Sequence, residues 1–177
     1  MRSAGEGDER LIHISQQKKD QVYQEARRLL IKTYGDDKAD GGSCLYWSKI
    51  AINLLASMGL RAILQAGDLQ WQMVPHELDD GVSSTHFSYM WSDKRDMIFN
   101  PSGELPEIHV WVGLPEQNEI VDFSTGGFKK RAIEHHGLPW LGPDPPLYLW
   151  GPPPDRTIYH PFLEATLFAK KLIDYHC

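Results

Sequence analysis

Three residues of this chain carry groups that could transfer an acyl group if the fold brought them together: Cys44, His109 and Asp122. Cys44 follows Gly41-Gly42-Ser43 and opens an apolar run that ends at Met58, with Gly59 as its stop. Such a run reads as a helix, and unpaired N–H groups at a helix start form a positive end. That end favours thiolate over thiol. Glycines just before it let the backbone turn sharply and let a substrate come close. The same amides can hold the oxyanion of a tetrahedral intermediate. A buried structural cysteine would also suit the run.

A thiol nucleophile needs a base, and the base needs an orienting partner. His109 lies in Ile108-His-Val-Trp-Val112, and Asp122 ends Glu119-Ile-Val-Asp-Phe123. Pro115-Glu-Gln-Asn118 between them reads as a turn. Across such a hairpin the two side chains can be neighbours on one face. A half-exposed strand histidine and a turn-capping aspartate are the plain alternatives. His86, in Thr85-His-Phe-Ser-Tyr-Met-Trp91, is a rival base or a residue of the cleft wall. His76 with Glu77, Asp79 and Asp80 has the atoms of a metal site without a known ligand spacing, so a polar loop is expected and no metal. Lys129, Lys130 and Arg131 read as a solvated loop or helix start.

The elements that must position these residues follow from periodicity. Gln16 to Tyr34 places Val22, Ala26, Leu29, Leu30 and Thr33 on one face of a helix, and Gly35 ends it. Ser43 is the expected N-cap of the next helix. That helix is apolar on nearly every side, so it is expected at the centre of the fold. Leu60–Ala66, Leu69–Val74, Phe87–Trp91, Ile108–Val112 and Glu119–Phe123 read as strands. Pro139 to Pro154 is rich in proline and glycine yet aromatic, and reads as an ordered wrap over the surface. A last helix is expected from near Pro161. The order predicts an α+β domain over residues 11–177 behind a disordered tail at 1–10.

The formal net charge of −6 argues against nucleic acid as the main partner, since phosphate binding needs a basic face. The two cysteines, Cys44 and Cys177, do not make a disulfide framework. No run is long enough to span a bilayer, and the first residues lack the apolar core of a signal peptide. A cytoplasmic chain without a membrane partner is expected.

The motifs together resemble the transglutaminase-like superfamily. Gly42-Ser43-Cys44 opens the helix, and Gly59-Leu60-Arg61-Ala62 through Gly67 is similar to that family's helix exit into its first strand. His109-Val110-Trp111 resembles its histidine strand, and Val121-Asp122-Phe123-Ser124 its aspartate strand. The resemblance covers Gly41 to about Thr125. It implies a transglutaminase-like or papain-like fold, with a central buried helix packed on an antiparallel sheet. It also implies a Cys44–His109–Asp122 triad acting on an amide, peptide or ester carbonyl without a cofactor. Gly42, Ser43, Trp71, His86 and Trp111 are then expected to border the substrate, whether peptide, protein or small amide or ester. Papain-like proteases place a glutamine six residues before the cysteine, where this chain has Lys38. The second oxyanion donor therefore has only candidates: Gln65, Gln70 and Trp71. Gly41 to Cys44 also resembles the Gly-Gly-x-Cys of arylamine acetyltransferases, which implies a coenzyme-A-dependent acyltransferase as one alternative. A member that kept the fold as a binding module is the other.

Overall fold

The first helix forms where the apolar spacing places it. In α1, Gln16–Tyr34, the Ser15 hydroxyl accepts from the Lys18 amide, and Gly35 closes the helix at φ 98°. Val22, Tyr23, Ala26 and Leu30 make its buried face. Burying a leucine such as Leu30 fully contributes about 2 kcal/mol. The computed structural model describes residues 13–39, 43–73, 86–89, 108–137 and 139–176. The expected tail, Gly41, Gly42, the acidic loop at His76 and Cys177 lie outside these residues.

The second helix, α2, spans Cys44–Ser57. It buries Trp47, Ser48, Ile50, Ala51 and Leu55 between α1 and the sheet. Ser43 occupies the capping position without capping: its hydroxyl donates to the Lys38 carbonyl instead. Its hydrogen bond thus ties the helix start to the preceding turn.

Among the described residues six strands form one antiparallel sheet: β1 (Ile63–Gln72), β2 (His86–Tyr89), β3 (His109–Leu114), β4 (Glu119–Asp122), β5 (Leu149–Gly151) and β6 (Ile158–Pro161). The order is β2-β1-β3-β4-β5, and β6 also pairs with β1. Together with four helices among the described residues, this is an α+β fold. Helices α3 (Phe128–His136) and α4 (Leu163–His176) complete the set.

The two faces of the sheet have different covers. Leu64, Ala66, Val110, Val112 and Val121 face α1, α2 and α4. The other face carries Leu69, Trp71, Phe87 and Tyr89, covered by Phe128 and Ala132 of α3 and by Trp140. The segment from Pro139 to Pro154 is bonded to the rest of the fold at several points. Its Leu141 and Gly142 amides donate to the Met73 carbonyl, and Thr125 donates to the Pro146 carbonyl at 2.8 Å. It also supplies β5, which pairs with β4.

The two strands expected on either side of Gly67 are one continuous strand, β1. Gly67 does not break the strand; it makes room beside it. A Cβ at this position would run into the backbone carbonyl of His160 in β6. Gly67→Ala is therefore expected to push β6 outward and destabilise the protein by about 1–3 kcal/mol. Urea unfolding measures this, and an unchanged midpoint would mean that the two strands part there freely.

Candidate active site

His109 opens β3 and Asp122 closes β4, and the hairpin between them fixes their relation. Val112 pairs with Val121, Gly113 with Ile120 and Leu114 with Glu119. Alternation then puts His109, Trp111, Ile120 and Asp122 on one face. The turn needs a left-handed residue, and Asn118 supplies it at φ 52°.

On that face the His109 Nε2–H donates to Asp122 Oδ2 at 2.7 Å. Both side chains are out of solvent, at 0% and 1% exposure. A buried carboxylate needs its lone pairs filled. Oδ1 accepts from the Ser124 amide at 2.9 Å and the Ser124 hydroxyl at 2.7 Å. Oδ2 accepts a second bond, from the Tyr159 hydroxyl at 2.8 Å. Neither Ser124 nor Tyr159 was assigned a role from the sequence.

Burial alone would push the His109 imidazole down. The Asp122 charge and hydrogen bond, with a further contribution from Cys44, outweigh it and raise the ring to about 9. Burial likewise works against the Asp122 carboxylate, but His109 and the two Ser124 donors hold it below its ordinary value. The pair is thus ionic through neutral pH.

Aromatic rings box the imidazole. Tyr89 of β2 stacks on it at 5.2 Å between centroids, and Trp111 lies nearly parallel at 5.9 Å. Phe128 meets it edge-on at 5.4 Å. Electron-rich ring faces favour a cation between them. Arg131 of α3 lies over the far ring, Tyr89, at 5.5 Å.

Cys44 reaches this group from α2. Its thiol donates to the Ile108 carbonyl at 3.8 Å, and one turn later Ser48 donates to the Val110 carbonyl at 3.1 Å. Two side chains on one helix face thus bind alternate carbonyls at the start of β3, which docks the helix beside His109. Cys44 is partly exposed whereas the imidazole is enclosed. The ring's second nitrogen, Nδ1, is buried without a settled hydrogen-bond partner among the described residues. With Nε2 committed to Asp122, Nδ1 is the nitrogen left for the thiol. In the charged ring this nitrogen carries the second proton, and a thiolate is the form of Cys44 that suits it.

The remaining expected residues fall elsewhere. Ser43 is buried at the helix start. Trp111 has 0% exposure, and its Nε1 donates to Gln65 Oε1 at 2.8 Å. Trp71 packs edge-on against Phe128 at 5.4 Å. Both tryptophans lie in the core, one of them backing the imidazole; the interior of the sheet has claimed their apolar area. The Trp111–Gln65 bond uses the Trp111 donor and only the acceptor end of Gln65, whose amide N–H groups are not spent on it. His86 pairs in register with Gln72, whereas His109 pairs with Gly67. Alternation puts His86 on the opposite face from His109, and Asp122 takes His109 as its partner. Among the described residues no three His, Cys, Asp or Glu side chains group as metal ligands. No helix among them is long and apolar enough to cross a membrane.

No protein-family model matches the chain, and no curated protein matches it. Among solved structures, the genomics protein APC5867 is similar over 92% of this chain and 72% of its own, at 17% sequence identity and a TM-score of 0.47.

Proposed function

We propose that this chain is a cysteine-dependent acyl-transfer enzyme of the transglutaminase-like, papain-like type, with Cys44 as nucleophile. The observation that carries this reading is the buried His109–Asp122 pair, whose remaining ring nitrogen has, among the described residues, no partner other than the helix-start thiol beside it. Structural histidines are satisfied at both nitrogens; one left open next to a thiol is arranged for proton transfer.

The proposed steps are these. The Cys44 sulfur, as the thiolate paired with the charged His109 ring that holds its proton, attacks the carbonyl carbon of an amide, peptide or ester. The oxyanion that forms is stabilised by free amides at the start of α2, among them that of Cys44. As the intermediate collapses, its bond to the leaving group breaks and His109 returns the proton to that group. A thioester on Cys44 remains. Water or an amine then attacks it, His109 takes the attacker's proton and keeps it, the acyl–sulfur bond breaks, and the thiolate beside the charged ring is restored. Asp122 fixes the ring orientation and supports its charge throughout. All of this uses side chains and backbone amides alone.

The test is acylation by 4-nitrophenyl acetate, followed by peptide mass spectrometry. The acyl group is expected on Cys44 well before Cys177, with release of nitrophenol that Cys44→Ala abolishes. Equal slow labelling of both thiols, with no turnover, would sink the catalytic reading and leave a binding module.

A further inference from the structure

We infer that Tyr159 is a positioning residue of this site, clamping the Asp122 carboxylate so that one of its oxygens is held toward His109. The inference rests on the acyl-transfer reading above and extends it to a residue from a distant strand. Asp122 accepts four hydrogen bonds, two on each oxygen. Ser124 fills Oδ1 from the next turn of chain, so that end is fixed locally. Oδ2 is the oxygen that serves His109, and Tyr159 is its only other donor among the described residues. Without the phenol this end of the carboxylate would keep one donor and could swing about the Ser124 bonds.

The fold delivers Tyr159 to this point with some care. Strand β6 pairs with β1 so that Tyr159 lies opposite Leu69 and Pro161 opposite Gly67. The missing side chain at Gly67 lets β6 come close. The Tyr159 ring then stands edge-on to Trp111 at 5.2 Å and near the imidazole at 5.9 Å. Burial, and after it the Asp122 charge, push the phenol well above its ordinary value. It therefore stays protonated and donates wherever Asp122 is ionised.

A donor on Oδ2 also draws charge from the oxygen that holds the His109 proton. Two donors sharing one oxygen each bind it less strongly. The clamp thus trades some basicity of the pair for a fixed orientation. The groups bearing on His109 are Asp122 from β4, Cys44 from α2, Tyr89 from β2 with Arg131 of α3 behind it, and Tyr159 itself.

The experiment measures the pH dependence of Cys44 acylation by acetyl 4-nitroanilide, whose leaving group needs the His109 proton, in the full chain carrying Cys177→Ser. Tyr159→Phe is expected to lower the rate about tenfold at neutral pH. It should also move the alkaline limb, set by loss of the His109 proton, upward by about half a unit. A merely structural role would lower the rate at every pH without moving the limb, and that result would overturn the inference. So would a Tyr159→Phe profile that overlays the parent. If this variant does not fold, 3,5-difluorotyrosine at position 159 keeps the size and strengthens the donor. The limb should then move down, and an unmoved limb again overturns the inference. His109→Ala is run alongside. If it too matches the parent, the triad reading itself has failed, which is a distinct outcome from failure at Tyr159 alone.

Discussion

Replacing His109 with alanine is expected to slow acyl transfer by two different factors, depending on the leaving group. With an aryl ester at pH 7 the loss should be about 30-fold, because a thiol without a base partner is only a few per cent thiolate there. With an anilide of the same acyl group it should reach about 10²–10⁴-fold, because the leaving nitrogen then needs a proton from the ring as well. The argument starts from the raised imidazole. At about 9, His109 is charged at neutral pH, so the proton that must reach the leaving group is already on the ring. Its position behind a partly exposed Cys44 leaves the sulfur, not the base, to meet the substrate. In the parent protein, anilide turnover should therefore fall as pH rises through about 9, whereas ester turnover should persist. Steady-state rates with 4-nitrophenyl acetate and acetyl 4-nitroanilide, from pH 5 to 10, measure both effects. Equal losses with the two substrates would show that His109 does not act as the acid.

Asp122→Asn should destabilise the fold, and by an amount that depends on pH in a definite direction. The His109 value is raised on folding, from 6.5 to about 9. Its contribution is fully present below about pH 6.5 and is lost as pH rises through about 9. A shift of that size corresponds to about 3 kcal/mol. The Asp122 value is depressed, so its own contribution appears above the ordinary carboxylate range and disappears as pH falls through its folded value. The pair is thus at full strength between roughly pH 4 and pH 6.5. With asparagine, the ring remains buried but loses its counter-charge, and burial then favours the neutral form. The variant should lose about 3–5 kcal/mol at pH 6, and much less at pH 10, where the parent ring is neutral too. Urea unfolding at the two pH values decides the matter. A penalty that is the same at both would mean that the buried pair is a neutral hydrogen bond.

The sequence shows some of this architecture directly and hides the rest for physical reasons. The first two helices can be read because their stop signals are glycines with positive φ, Gly35 and Gly59, and because the apolar spacing of α1 has only one solution. His109 and Asp122 can be paired on paper because they flank one turn, and a hairpin converts sequence order into proximity. Tyr159 cannot be found in this way. It lies 37 positions from Asp122, in a strand next to Pro161, where ladder pairing is not expected. Gly67 reads as a strand break until the strand that crowds it is known. The helix α3 shows only at its beginning, where Lys129, Lys130 and Arg131 read as a loop or helix start; their charges mask the spacing of Phe128 and Ala132, both buried. Trp71 and Trp111 look like cleft walls by residue type alone. Whether a tryptophan faces a cleft or a core is decided by the other layer, and no local pattern encodes it. Ser43 has the right type for a cap, but its hydroxyl donates to the Lys38 carbonyl and does not accept from the helix amides.

The β3–β4 hairpin also limits how the chain could change in length. The pairing from Leu114–Glu119 back to Val112–Val121 counts residues in step from the turn to the site. A residue added within Pro115–Asn118 would bulge into solvent and leave that count intact. One added between Glu119 and Asp122 would reverse the parity of the strand and carry the carboxylate toward the α2 face, away from His109. The hairpin therefore behaves as a ruler with a free end and a fixed end: insertions are tolerated at its tip and forbidden along its blade.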